Sequence, residues 1–132
     1  MAEPMVPVDK YVGKRIMITG AAGFIGSHLR GRLCASGADV YAISRTTRTA
    51  CDDSTHWSVG DPADIETLRP VFDSTKPDII FHLAGHVTGS RDLKLVLPTF
   101  HGNLISTVQL LALATERGCR RIVIAGSMEE PA

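Results

Sequence analysis

Arg15-Ile16-Met17-Ile18-Thr19-Gly20-Ala21-Ala22-Gly23-Phe24-Ile25-Gly26-Ser27-His28-Leu29 joins a short apolar run to a helical pattern through three glycines spaced three apart. The order is strand, loop, helix, and each glycine has its own reason. Gly20 lets the chain reverse at the strand end, where a positive φ penalises any residue with a Cβ. Gly23 leaves room for a pyrophosphate against the backbone, and Gly26 lets the helix lie close to the strand. Free N–H groups and the positive end of the helix dipole then meet at one point, which suits a phosphate linkage. The implied ligand is a dinucleotide. An ordinary strand-to-helix turn would also account for the glycines alone, and the βα units downstream are what favour the ligand.

Working outward, the chain repeats this alternation. Residues 14–19 read as the first strand and 23–36 as the first helix, with Ile25, Leu29 and Leu33 as one buried stripe and Gly37 as its stop. Residues 40–43 are a second strand and 56–59 a short third. Asp61 reads as the N-cap, and Pro62 as the opening residue, of a helix over 63–74 whose apolar face is Ile65, Leu68, Val71 and Phe72. The run 79–85 is continuously apolar, as in a strand buried on both faces. A long helix starts near Leu95 or Pro98 and runs to Arg117, with Phe100, Leu104, Val108, Leu111 and Ala114 in one stripe and Gly118 at its end. A fifth strand covers 121–127. The pattern predicts an α/β, Rossmann-type doubly wound parallel sheet of order 3-2-1-4-5, with right-handed crossovers. The ligand should lie across the carboxyl ends of strands one and four.

The tip of the second strand selects the cofactor. An Asp or Glu there would bond the ribose 2′-hydroxyl of NAD, but the tip is Ser44-Arg45-Thr46-Thr47-Arg48, and Asp39 lies at the wrong end of its strand. Two guanidiniums beside a small hydroxyl suit the 2′-phosphate of NADP, which a planar fork holds bidentately. NADP is therefore expected over NAD, although solvated loop arginines would read the same way.

Bulk properties narrow the class. With 132 residues there is room for one domain, read as a loose arm over 1–13 and a dinucleotide-binding domain over 14–132. Fourteen basic and 14 acidic side chains cancel, so no net field recruits nucleic acid or an anionic membrane. No apolar run is expected to reach transmembrane length, and residues 1–9 lack the basic and apolar regions of a secretory signal. Cys34, Cys51 and Cys119 are widely spaced and odd in number, with no metal-ligand or disulfide pattern, which fits reducing cytoplasm.

Taken with its flanks, Thr19-Gly20-x-x-Gly23-Phe24-Ile25-Gly26-Ser27-His28-Leu29 resembles the extended branch of the short-chain dehydrogenase/reductase superfamily, the nucleotide-sugar epimerases, dehydratases and reductases. The resemblance implies cofactor contacts from Gly20, Gly23, Phe24, Ile25 and Gly26, from Ser44, Arg45 and Arg48, and from Asp61 with Pro62 near the adenine. It implies further contacts from Leu83, Ala84 and Gly85 at the end of the fourth strand. Asn103 and Thr107 match an Asn…Thr pattern near the active site, with Ser106 where glycine is usual. Ser127 falls on the catalytic Ser/Thr, whose hydroxyl holds the reacting oxygen as hydride moves. His82 is expected to pack or to find a backbone partner.

The pattern is incomplete in one respect. The family needs a Tyr-x-x-x-Lys pair on the next helix, where the lysine lowers the tyrosine's pKa for proton transfer. The tyrosines here are Tyr11, in the arm, and Tyr41, within the second strand. Pro131 also stands where the family usually has a tyrosine. The chain is therefore expected to be one piece of a longer enzyme acting on a nucleotide-linked sugar, inactive by itself. Its last long helix should leave an apolar strip open, through which two copies pair. The alternative is a non-catalytic dinucleotide-binding or interaction fragment.

Overall fold

The apolar run 16–18 is withdrawn from solvent because its strand, β1 (Arg15–Thr19), lies at the centre of a five-stranded sheet. The computed structural model describes residues 8–48, 54–87 and 89–126. β2 (Asp39–Ser44) and β3 (His56–Val59) extend the sheet on one side of β1, and β4 (Ile79–His82) and β5 (Arg121–Ile124) on the other. All pairings are parallel and the order is 3-2-1-4-5, as expected. The register sets Ile16 beside Val40 and Ile79, and Thr19 beside Ile43 and His82. Three helices follow: α1 (Phe24–Ala35), α2 (Ile65–Thr75) and α3 (Leu93–Glu116).

The period of two along β1 makes two cores. Ile16 and Ile18 join Val40, Ala42, Ala21, Ala38 and Leu33 of α1 on one face. Met17 joins Ile43, Ile80 and the apolar faces of α2 and α3, with Leu68, Phe72, Leu110 and Leu113 fully enclosed, on the other. Each such side chain contributes about 1.5–3 kcal/mol against its exposed state. At the amino ends of the strands, the Arg15 backbone N–H donates to Asp78 Oδ2 at 2.9 Å, and its guanidinium reaches Oδ1 at 3.3 Å. This ties the start of β1 to the start of β4, and the Arg15 N–H followed by its guanidinium holds the Asp78 carboxyl below its usual pKa.

The structure corrects several local expectations. Ile25 is 67% exposed, so the α1 stripe begins at Leu29. In the first turn of α1 Gly26 is the buried residue, packed on the backbone of Gly20 and Ala21. The N-cap of α2 is Asp64, whose carboxylate accepts from Glu66 N–H at 3.1 Å, and not Asp61. Asp61 forms a turn three residues upstream, accepting from Ala63 N–H at 2.9 Å. Lys76, in the left-handed region at φ 45, closes α2 where glycine would be usual.

On α3 the buried positions are Ser106, Leu110, Leu113 and Ala114. Of the stripe read from the sequence, Phe100, Leu104, Val108 and Leu111 face outward at 42–53% exposure, so an apolar strip is open, as anticipated. The helix is apolar on both sides, and of that stripe Ala114 is the residue that is buried. At 24 residues it is also long and apolar enough by composition to cross a membrane, contrary to the reading above, but its inner face packs on the sheet.

Candidate functional site

Between β1 and β4 the chain changes its direction of progress across the sheet, and the carboxyl ends of the strands open there into a cleft of about 640 Å³. The turn after β1 forms its floor. Gly20 has φ 70, and a Cβ on it would lie 2.6 Å from Ala84 N and 2.7 Å from Leu83 C. No other residue lets the β1 turn pass this close to the β4 end. A Cβ on Gly26 would lie 2.8 Å from Ala21 Cα and closer still to the Gly20 carbonyl oxygen. The α1 N-terminus is therefore pressed onto the turn. Gly23, its N-cap, brings no side chain to the first-turn N–H groups, and that turn holds no acidic residue. An uncapped helix start aimed past a backbone cradle fits an anionic linkage such as a pyrophosphate.

The β2 tip forms the next wall. Ile43, Ser44 and Arg45 line the cleft. Ser44 Oγ accepts from Thr46 N–H at 3.2 Å and from Arg48 Nε at 3.4 Å. The Arg48 guanidinium sits 5.8 Å over the Trp57 ring, which Arg30 also covers at 5.2 Å. Arg48 is thus turned from the cleft onto β3, while Arg45 borders it. Gly60, Asp61, Pro62 and Ala63 continue the wall after β3.

The opposite wall comes from β4 and α3. Leu83, Ala84, Gly85 and His86 line it, faced by Pro98, His101, Gly102 and Ser106. Asn103 does not border the cleft. Its Oδ1 accepts from His86 N–H at 2.6 Å and its Nδ2 donates to the His86 carbonyl at 3.0 Å, like a peptide group pairing with the loop. His82 is buried, with Nδ1 2.6 Å from Thr19 Oγ1 and Nε2 3.3 Å from Ser106 Oγ. Its partners are side-chain hydroxyls rather than the backbone, and burial pushes its pKa down.

Of the residues expected at the cofactor, Gly20, Gly23, Ser44, Arg45, Asp61, Pro62, Leu83, Ala84 and Gly85 converge on this one cleft. Phe24, Ile25, Gly26, Arg48 and Asn103 lie behind or beside it. Phe24 and Ile25 expose their side chains at 82% and 67%. Ser127 lies outside the described residues. His101, Gly102 and Ser106 were not anticipated. Ser106 alone left a signal, as a hydroxyl where glycine is usual; the others depend on how α3 turns.

Comparison with known proteins agrees with this geometry. The profile of the NAD dependent epimerase/dehydratase family matches residues 16–131. The chain is 29% identical over 129 residues to UDP-glucose 4-epimerase 2 of Arabidopsis thaliana, covering 88% of this chain and 37% of that protein. It is 30% identical over 128 residues to CDP-glucose 4,6-dehydratase of Salmonella typhimurium, covering 91% and 36%. It therefore spans a little over a third of the length of these relatives. The solved structure of an epimerase from Methanothermobacter thermautotrophicus superposes with a TM-score of 0.80 at 28% identity, over 96% of this chain and 40% of that one. A match running from the first buried residue of β1 past the end of β5, over a cleft built from the same turn and strand ends, has one meaning: this chain belongs to the NAD dependent epimerase/dehydratase family.

Proposed function

We propose that these residues form the cofactor-binding part of a cytoplasmic enzyme that passes hydride between nicotinamide C4 and a carbon of a nucleotide-linked sugar, with NADP preferred over NAD. The observation that carries the reading is the convergence of the glycine turn, the β2 tip and the β4 end on one cleft. Its size is in the range of small-molecule and cofactor sites. The nucleotide sugar is supported by the relatives, whose names specify UDP-glucose and CDP-glucose. NADP is supported by the β2 tip. Arg45 borders the cleft beside Ser44, the tip sequence 44–48 contains no carboxylate, and Asp39 sits beside Arg15 in the strand register at the opposite end of the sheet. Arg48 is one hydrogen bond from Ser44 and would add a second guanidinium on leaving Trp57.

In this reading the turn and the α1 N-terminus hold the pyrophosphate, Asp61 and Pro62 border the adenine, and Leu83 to Gly85 face the nicotinamide ring. Bound cofactor supplies the hydride chemistry. Ser127 is assigned, by resemblance, to hold the reacting sugar oxygen, where a fixed hydroxyl stabilises developing charge. The open strip of Phe100, Leu104, Val108 and Leu111 is assigned to pairing with a second copy, which sedimentation as a monomer at high concentration would refute. Titration with both cofactors, read from the single tryptophan, Trp57, tests the central claim. NADPH should bind more tightly than NADH, and the reverse order refutes the NADP assignment. A second reading is a module that binds dinucleotide without turnover. Turnover of a UDP- or CDP-linked sugar by this chain would refute it.

A further inference from the structure

We infer that His82 is a positioning residue of the cleft: a neutral imidazole protonated on Nε2 that ties the β1 tip to a widened turn of α3 through one directed chain of hydrogen bonds. The inference rests on the reading that the cleft takes a dinucleotide.

The direction of the chain follows from its two fixed ends. The Gly102 carbonyl can only accept, and Ser106 Oγ lies 2.6 Å from it, so the Ser106 hydroxyl proton points there. Ser106 Oγ is then the acceptor for His82 Nε2 at 3.3 Å, and Nε2 carries the proton. A neutral imidazole has one N–H, so Nδ1 is an acceptor, and the Thr19 hydroxyl 2.6 Å away donates to it. Thr19 Oγ1 still has a lone pair for the Ala84 N–H at 3.2 Å, which can only donate. Each donor in this chain meets one acceptor, and each hydroxyl both donates and accepts once. An imidazolium would place a charge in a site only 3% exposed between two uncharged hydroxyls.

The consequence reaches the cleft through α3. The Ser106 hydroxyl occupies the Gly102 carbonyl, four residues back, while the Ser106 N–H donates to the His101 carbonyl, five residues back. Residues Phe100–Ile105 are π-helical as a result, a local widening that recurs at functional sites. That turn carries His101 and Gly102 to the cleft, and Gly102 packs so closely on His86 that a Cβ there would lie 3.0 Å from His86 Cβ. The Ser106 rotamer sets the turn, His82 sets the rotamer, and Thr19, next to Gly20, sets His82. One side chain thereby aligns the glycine turn, the β4 end and the α3 wall.

The test begins with the parent chain. Its histidine ¹⁵N spectrum at neutral pH should show His82 with a pyrrole-type Nε2 and a pyridine-type Nδ1. The opposite tautomer, or an imidazolium, overturns the inference without any variant. Ser106→Ala and Thr19→Val should each weaken NADPH binding about tenfold, the scale of one buried hydrogen bond. Thr19→Ser, which keeps the hydroxyl, should restore it to within about twofold. Affinities are read well below each unfolding midpoint, with folding checked by far-UV circular dichroism. If the variants lose stability but bind NADPH as the parent does, the chain of bonds is structural only and the positioning role is overturned. If the parent binds neither NADPH nor NADH, the dinucleotide reading itself fails.

Discussion

Two glycines on one helix should answer the same substitution with opposite signs. A Cβ added at Gly26 would lie 2.8 Å from Ala21 Cα and 2.9 Å from the Gly20 carbonyl carbon. Carbon atoms rest at about 3.5–4.0 Å and the Gly20 carbonyl oxygen is nearer than either carbon, so Gly26→Ala must push the start of α1 away by roughly 1 Å. The obstacles are backbone atoms that cannot swing aside, which places the strain near the top of the usual overpacking cost of about 1–3 kcal/mol. Alanine's better helix propensity returns about 1 kcal/mol, leaving a net loss of about 2 kcal/mol. At Gly31 a Cβ meets nothing within 4 Å, so Gly31→Ala should gain about 0.5–1 kcal/mol. Urea unfolding of the full chain, followed by far-UV circular dichroism, measures both. NADPH titration should show binding weakened by Gly26→Ala, which moves the helix N-terminus, and unchanged by Gly31→Ala. A Gly26→Ala chain as stable as the parent, or a Gly31→Ala chain less stable, would refute the packing argument.

Other outcomes follow from the same contacts. Burial holds the His82 imidazole below its usual pKa, so below about pH 6.5 the unfolded chain binds the extra proton first and stability falls as pH drops. His82→Asn, which keeps an acceptor for Thr19, should shrink the fall in urea midpoint between pH 7.5 and 5.5; an equal fall in both chains counts against a buried neutral imidazole. Asp78→Asn should cost about 1 kcal/mol at neutral pH, since the pair is part-exposed and screened. Asp78 has a lowered pKa, so its contribution is present above about pH 4 and vanishes as pH falls through the folded value; a stability gap unchanged at pH 2.5 would exclude a charge effect. Arg45→Ala should weaken NADPH about tenfold and NADH by less than about twofold, the difference one phosphate contact makes. Equal losses for both cofactors would mean that Arg45 does not meet the 2′-phosphate.

How far the amino-acid order could be read depended on the range of the interaction. The continuous apolar run 16–18, three glycines at one spacing and repeated βα units are local signals, enough for the sheet order; the family resemblance added to them placed nine residues of the cleft. Where two nearby residues could do the same work, the choice was made by space. Asp61 and Asp64 are both competent caps, and only the position of α2 on the sheet decides that Asp64 serves. Ile25 and Phe100 fit apolar stripes, yet each lies where no partner surface exists among the described residues.

Local order therefore determined that a parallel sheet would present a glycine turn, a basic β2 tip and an apolar β4 end along one edge. It could not decide which side chains reach that edge, because this depends on residues up to 63 positions apart. Arg48 is drawn onto Trp57, Asn103 is spent on the His86 backbone, and His82 closes a path from Thr19 to Ser106. Each of these outcomes is a competition between partners for one polar group, and the competitors are neighbours only once the chain has folded.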